Sequence, residues 1–153
     1  MLKICCILYF LLISPVNKIF IDNAAIWKQL DETTWRKENN WAGEGYTFYQ
    51  TNDGVKRCVS QVYGSGVYVV SELTFYKVEI KNDTIQLLIN IAASPAHRDY
   101  QVMEKLILND GKMKTSDNKF SFVLFSKTPV IYDIQNPSSG KMIPIEELKK
   151  HQE

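Results

Sequence analysis

The feature that most constrains this chain is a series of short apolar segments separated by tight turn signals. The turn signals stand at Asn52-Asp53-Gly54, Asn82-Asp83, Asn109-Asp110-Gly111 and Ser116-Asp117-Asn118. The segments between them are rich in Val, Ile, Thr, Tyr and Phe, the residue types enriched in β-strands. Because loops this short join neighbouring antiparallel strands, the pattern predicts a meander of hairpins.

Nine candidate strands follow one another along this part of the chain. They are Thr34–Glu38, Tyr46–Thr51, Val55–Tyr63, Val67–Lys81, Thr84–Ala92, Tyr100–Leu108, Lys112–Thr115, Lys119–Ser126 and Val130–Ile134. A meander of about eight strands tends to close on itself, since closure removes both unpaired edges. We therefore predict an all-β fold, an up-and-down antiparallel β-barrel over residues 21–135, with a two-sheet sandwich as the alternative.

A short helix is predicted on each side of the barrel. Asp22 or Asn23 can cap an N-terminal helix that runs to Leu30 and places Ile26, Trp27 and Leu30 on one face. Residues 136–153 begin as a loop and continue into a charged segment that has Pro144 at its start and lysines at its end. That order suits a short C-terminal helix, with a frayed, solvated tail as the alternative.

The first 20 residues resemble a secretory signal. A basic start at Lys3 precedes an apolar run, Ile4-Cys5-Cys6-Ile7-Leu8-Tyr9-Phe10-Leu11-Leu12-Ile13, which Ser14-Pro15 closes. About ten apolar residues are too few to span a bilayer, so we expect a secreted protein without stable membrane association after signal removal. A membrane-anchored N-terminus is the alternative, because no small-x-small cleavage triplet stands where one is expected.

The net charge bears on whether the protein binds nucleic acid, and the cysteine content bears on its disulfides. The chain has 18 Lys+Arg against 17 Asp+Glu, a net charge of +1 that argues against a nucleic-acid binder. Removal of the signal also removes Cys5 and Cys6 and leaves Cys58 as the single cysteine. A lone thiol in a secreted chain is a buried, inert residue, a candidate for an intermolecular disulfide, or a cysteine whose partner the chain has lost.

Catalytic and cofactor motifs are missing from the sequence. The chain has two histidines, His97 and His151, and neither stands in a metal-binding pattern. It has no Gly-x-Ser-x-Gly motif, no phosphate-binding glycine loop and no dinucleotide fingerprint. We therefore expect a protein that is not an enzyme and needs no cofactor or metal.

Carboxylates that alternate with aromatic and apolar residues are the main candidates for a binding site. One face of the fourth candidate strand carries Glu72 and Tyr76, and one face of the sixth carries Tyr100 and Glu104. A buried acid needs a partner, and an acid among aromatic rings suits a small amine. We predict that these four residues and Trp41 bind a ligand; the alternative is that both acids face water.

Asn82-Asp83-Thr84 matches the acceptor pattern for N-glycosylation. It lies in a predicted hairpin turn, where an acceptor asparagine would be accessible. We therefore predict a glycan on Asn82.

Several motifs together resemble the tick salivary lipocalins, the family that includes histamine-binding proteins. The motifs are the secretory start, Ala25-Ile26-Trp27-Lys28-Gln29-Leu30, Lys56-Arg57-Cys58-Val59, Phe122-Val123-Leu124-Phe125-Ser126 and Val130-Ile131-Tyr132-Asp133-Ile134. The resemblance covers about residues 22–134. It implies a lipocalin-like barrel that sequesters a small amine, such as histamine or serotonin, or a lipid mediator.

The chain also departs from that family. Its members pair the early cysteine with one near the C-terminus, whereas no cysteine follows Cys58 here. The Cys-Asp-aliphatic strand of the amine-binding members, with its Glu-Leu-Trp or Glu-Leu-Tyr, is absent as well. We expect a secreted small-ligand-binding protein; the alternative is a closed barrel whose loops bind a host protein.

Overall fold

The structure is a computed structural model that describes residues 22–38, 43–63, 73–93, 97–134 and 140–150. Within these ranges it contains two α-helices and eight β-strands. They are α1 (Asn23–Leu30), β1 (Thr33–Lys37), β2 (Gly43–Gln50), β3 (Lys56–Tyr63), β4 (Thr74–Lys81), β5 (Thr84–Asn90), β6 (Tyr100–Asn109), β7 (Lys112–Thr115), β8 (Ser121–Ser126) and α2 (Ile145–Lys149). The predicted signal, residues 1–20, lies outside the described residues.

The strands form a closed barrel in chain order, and this confirms the predicted up-and-down architecture over the sandwich. Each strand pairs antiparallel with the next, and β1 closes the barrel by pairing with β8. Two hairpins close through two-residue turns, at Asn82-Asp83 and Asp110-Gly111, where all four residues have a positive φ. Such turns match the right-handed twist of the flanking strands, and this explains the turn residues at these positions.

Helix α1 packs under one end of the barrel, which we call the helix end. Asp22 caps α1 by accepting a hydrogen bond from the Ala24 N–H (3.1 Å), as the sequence predicts. Ile26, Trp27 and Leu30 are buried and join the apolar core inside the barrel. The opposite end, which carries the β7–β8 turn, is the far end. Among the described residues, no helix is long and apolar enough to cross a membrane.

The barrel interior near the helix end is filled by side chains. The inward positions of successive strands carry large apolar residues with almost no exposed surface: Tyr46, Phe48, Cys58, Ile85, Leu87, Leu106, Met113 and Phe122. Burial of this apolar surface is the main contribution to the stability of the fold.

The ninth candidate strand, Val130–Ile134, is not part of the barrel, and that prediction is wrong. This segment crosses the outer face of β1, β2 and β3, where side chains of the barrel strands hold it and no barrel strand pairs with it. Gln61 donates from Nε2 to the Tyr132 carbonyl (2.8 Å) and accepts from the Tyr132 N–H (3.0 Å). Thr34 Oγ1 accepts from the Val130 N–H (2.9 Å). The barrel closes without a ninth strand, so the segment meets no free sheet edge.

The C-terminal segment then returns along the same outer face. An isolated bridge joins Tyr132 to Met142, and the Ile143 N–H donates to the Ile131 carbonyl (2.8 Å). Ile131 and the α2 residue Leu148 pack with the outward side chains of Tyr49 and Val59 in a second apolar cluster. The predicted C-terminal helix is therefore present and is docked against the barrel, because its buried leucine covers apolar outer residues.

A β-bulge interrupts the pairing of β5 with β6. Leu87 pairs with Glu104, but the next residue, Leu88, pairs with Val102, so β6 holds one extra residue at this point. An extra residue reverses the inside–outside alternation beyond it. From Glu104 to Leu108 the even-numbered residues of β6 face inward, whereas Val102 and Tyr100 face outward.

Candidate ligand-binding site

The carboxyl group of Glu104 lies inside the barrel. Glu104 follows the inward alternation of Leu106 and Leu108, and its Oε2 accepts a hydrogen bond from the Tyr46 hydroxyl. Burial raises the pKa of Glu104, the Tyr46 hydrogen bond opposes this shift, and the nearby charges of Glu44 and Asp117 raise the pKa further. The geometry favours the inward alternative for Glu104 over the water-facing one, and its role in ligand binding stays a prediction.

A second carboxylate, Glu44, lies on the same side of the barrel wall. It stands two residues before Tyr46, so the two side chains share the inward face of β2. The charge of Glu44 raises the pKa of Glu104 and contributes to the raised pKa values of Tyr46, Tyr76 and Cys58. The far half of the interior therefore holds two acids that repel each other.

Tyr76 is also an inward residue, as predicted. It pairs with Cys58 across β3 and β4, is partly buried, and packs against the main core cluster. Burial raises the pKa of its hydroxyl, and a hydrogen bond with Ser60 acts in the opposite direction. Tyr46, Ser60 and Tyr76 thus place three hydroxyl groups near the two acids.

A cavity of about 260 Å³ opens beside Glu104 at the far end. Its lining includes Glu104, Lys105, Thr115, Asp117, Lys119 and Phe120. Asp117 is held in the β7–β8 turn by the Thr115 hydroxyl (2.6 Å) and by Lys119 (2.9 Å), and these contacts lower its pKa. The cavity therefore places the Glu104 carboxyl group, whose pKa is raised, near the ionised carboxylate of Asp117 and the ring of Phe120.

Two basic groups near this cavity, Lys119 and Lys37, contact neighbouring side chains, whereas Lys105, which also lines the cavity, has no ion-pair partner among the described residues. Lys119 pairs with Asp117, and the Lys37 ammonium lies 3.4 Å from the centroid of the Phe120 ring. Lys37 lowers the pKa of Glu104, but this effect is smaller than those of burial and of the two neighbouring acids. The cavity lining carries two acids and two lysines, so a preference for a cation depends on Glu104 together with the nearby Glu44 on the inward face of β2.

Cys58 has no exposed surface and faces the interior beside Phe48 and Tyr76. Burial is the main cause of its raised pKa, with smaller effects from Glu104 and Glu44. This position agrees with the buried, inert interpretation. It argues against an intermolecular disulfide in the folded barrel, because the thiol cannot reach another chain.

The structure separates Tyr100 from the other predicted site residues. The prediction that Tyr100 shares a face with Glu104 is wrong, because the β-bulge turns it to the outside, where the Lys77 ammonium lies 4.9 Å from its ring centroid. Glu72 and Trp41 lie outside the described residues. Asn82 is exposed in the β4–β5 turn, which leaves its predicted glycan as a prediction.

Sequence reasoning did not include Glu44 and Tyr46 in the site. The order Glu44, Tyr46, Phe48 carries the same signal that identified Glu104, a carboxylate alternating with apolar and aromatic residues. Gly43 and Gly45 are poor strand formers, so the strand was predicted to begin only at Tyr46. An alternation extended through these glycines would have found both residues.

No group of three or more metal-binding side chains comes together within the described ranges. Comparison of the chain with family models, with curated proteins and with solved structures gives no match. The resemblance to the tick salivary lipocalins therefore stays a prediction.

Proposed function

We propose that this chain is a secreted, lipocalin-like protein that sequesters a small amine in the far half of its barrel and performs no chemistry on it. The observation that carries the proposal is the inward Glu104 carboxyl group. It accepts a hydrogen bond from the Tyr46 hydroxyl and lies close enough to Glu44 for the charge of Glu44 to raise its pKa. An ammonium group bound between the two acids would relieve their repulsion and form charge-assisted hydrogen bonds.

Charge and size favour an amine over a lipid mediator. A fatty acid would bring its carboxylate toward Glu44 and Glu104, and like charges at close range are unfavourable. The cavity of about 260 Å³ is also slightly smaller than the range of about 300–1,000 Å³ that is usual for drug-sized ligands. A compact arylalkylamine such as histamine or serotonin fits both constraints better than a long acyl chain.

Binding of a cation should strengthen as pH rises, because the cation binds the ionised form of Glu104. Burial and the neighbouring acids raise the pKa of Glu104, so it is protonated over a wider pH range than an ordinary glutamate. A primary amine stays protonated beyond about pH 8. Affinity for serotonin should therefore increase as pH rises through the Glu104 pKa and then level off.

Titration of intrinsic tryptophan fluorescence with histamine, serotonin and a fatty acid tests the proposal. We expect saturable binding of at least one amine and a loss of about tenfold or more in E104Q, the size typical of a lost charge-assisted contact. Glu146→Gln is the matched control, because Glu146 is exposed on α2, outside the barrel. A folded protein that binds none of these ligands would refute the proposal.

A protein-interaction module is the second candidate function. The observation that favours it is the filled interior near the helix end. Each of four interior side chains there is at most 1% exposed: Phe48, Leu87, Met113 and Phe122. A barrel packed in this way throughout would act through its loops and bind a host protein. Saturable binding of a small ligand that is abolished by E104Q would decide against this alternative.

A further inference from the structure

The outer wall of β6, β7 and β1 carries a group of basic side chains. Because Leu106, Met113 and Trp35 face inward, their neighbours Lys105, Lys112, Lys114 and Arg36 face outward. The strands β6, β7, β8 and β1 are consecutive in the closed barrel, so these side chains form one continuous surface. We call Arg36, Lys105, Lys112 and Lys114 the basic wall.

Among the described residues, the ion pairs around the basic wall leave two of its lysines without a partner. Glu38 pairs with Lys112 (2.8 Å), and Asp117, which lines one cavity with Lys105, pairs with Lys119 (2.9 Å). Among the described residues, neither Lys105 nor Lys114 has an ion-pair partner. The whole chain has a net charge of only +1, so the basic wall is a local feature and not the result of a basic composition.

The spacing of the basic wall follows from the strand register. Ile107 pairs with Lys114, so Lys105 and Lys114 are diagonal neighbours at about 7–8 Å. Lys112 and Lys114 are two residues apart on one strand, a separation of about 7 Å. Lys112 and Arg36 both pair with Val123, from opposite sides, and are therefore about 10 Å apart. Adjacent cations thus follow one another around the barrel at intervals of about 7–10 Å.

The curvature and spacing of the basic wall favour a linear, flexible polyanion over a flat lipid bilayer or a nucleic acid. The basic wall curves around four strands, so a flat bilayer would meet only part of it. Ile107 and Val123 stand between the cations, and the Phe125 ring lies 3.4 Å from the Arg36 guanidinium. Single-stranded nucleic acid gains much of its affinity by stacking on free aromatic rings, and the Phe125 ring at this wall is already in contact with Arg36.

We propose that the basic wall binds a sulfated polysaccharide. The sulfate groups of such a chain would lie along the outside of β6, β7 and β1, with Lys105 and Lys114 as the principal contacts. This surface is on the outside of the barrel, whereas the Glu104 carboxyl group points inward. Lys105 also lines the cavity beside Glu104, so the two sites adjoin, but polysaccharide binding needs no ligand inside the barrel and would be retained if no amine bound.

Heparin binding by the full chain, followed by surface plasmon resonance at several salt concentrations, tests the proposal. We expect saturable binding that weakens steeply with salt, because exposed charges are screened. Lys105→Gln combined with Lys114→Gln should weaken binding about tenfold or more. Lys28→Gln combined with Lys150→Gln is the matched control, since both lysines are exposed elsewhere and the net charge changes equally. This control should stay within about twofold of the unmodified protein.

Three outcomes would overturn the proposal. The first is an absence of heparin binding at low salt by the folded protein. The second is an equal loss of affinity in the test and control variants, which would indicate a response to net charge alone. The third is tighter binding to phosphatidylserine vesicles or to a single-stranded oligonucleotide than to heparin. Loss of binding to desulfated heparin would support the assignment of sulfate groups as the ligand.

Discussion

The Tyr46 hydroxyl donates a hydrogen bond to the Glu104 carboxylate across the interior of the barrel. Tyr46 belongs to β2 and Glu104 to β6, two strands that lie on opposite walls because four steps separate them in a closed barrel of eight. The bond therefore links parts of the wall that share no backbone hydrogen bonds. It also fixes the orientation of the acid on which the proposed amine site depends.

Replacement of Glu104 by glutamine should change how stability depends on pH. Because burial raises the pKa of Glu104 above the ordinary value of 4.5, the folded chain binds this proton more tightly than the unfolded chain. Stability contributed by the protonated form is therefore lost as pH rises from about 4.5 through the raised pKa. E104Q should lack this loss and be the more stable protein near pH 7, by less than about 1 kcal/mol at a half-exposed site.

Thermal unfolding by circular dichroism at about pH 4 and pH 7 measures this difference. The Tm of the unmodified chain should fall relative to that of E104Q as pH rises. A constant difference between the two proteins across this range would contradict the assignment of a raised pKa to Glu104.

Replacement of Tyr46 by phenylalanine should raise the pKa of Glu104 further. The Tyr46 hydrogen bond lowers the pKa of Glu104, whereas burial and the charge of Glu44 raise it. Without the Tyr46 hydroxyl, the two raising effects act with less opposition. We expect a stability loss of about 1–2 kcal/mol, the usual cost when a buried acceptor loses its donor. Nuclear magnetic resonance titration of the glutamate side chains measures the shift, and urea unfolding measures the loss.

Tyr49→Phe is the matched control for that titration. Tyr49 is buried on the outer side of β2, where burial raises the pKa of its hydroxyl to about 12. Its replacement should leave the Glu104 titration unchanged. A similar shift in both variants would mean that a general loosening of β2 causes the effect.

Replacement of Gln61 by alanine should release the C-terminal segment from the barrel wall. The Gln61 side chain makes two hydrogen bonds to the backbone of Tyr132, and both backbone groups would lose their partner. We expect a stability loss of about 2–3 kcal/mol and faster proteolysis near residues 130–134. Gln101→Ala, at an exposed position on β6, should affect neither measurement.

The Cys58 thiol should react only when the barrel unfolds. It has no exposed surface, and its raised pKa leaves little of the reactive thiolate. In a chain whose Cys5 and Cys6 are replaced by serine, labelling with a disulfide reagent should be slow and should accelerate sharply across the guanidinium unfolding transition. Rapid labelling of the native protein, or a disulfide-linked dimer that retains the barrel fold, would contradict this placement.

The barrel could be predicted from the sequence because hairpin turns are local. Asn82-Asp83 and Asp110-Gly111 specify tight turns through their own backbone preferences, and a chain of such turns leaves few topologies. Most strand positions were predicted for the same reason. The inward position of Glu104 followed from alternation within one strand.

The remaining errors arise where distant residues decide the structure. The bulge that turns Tyr100 outward depends on how β6 pairs with β5, and no feature within residues 100–108 indicates an extra residue. Val130–Ile134 has the composition of a strand, yet it lies on the outer wall because β1 and β8 pair with each other and leave no edge for it. The Tyr46–Glu104 bond joins residues 58 positions apart in the sequence, which alternation cannot detect.

The two helices lie at the same end of the molecule. Lys149 of α2 forms an ion pair with Glu32, just after α1, and the Asn52 N–H donates to the Lys149 carbonyl (3.2 Å). A fluorescent label or an immobilisation tag attached beside either helix would therefore sit away from the rim beside Glu104. Such a reporter could follow ligand entry at the far end without obstructing it.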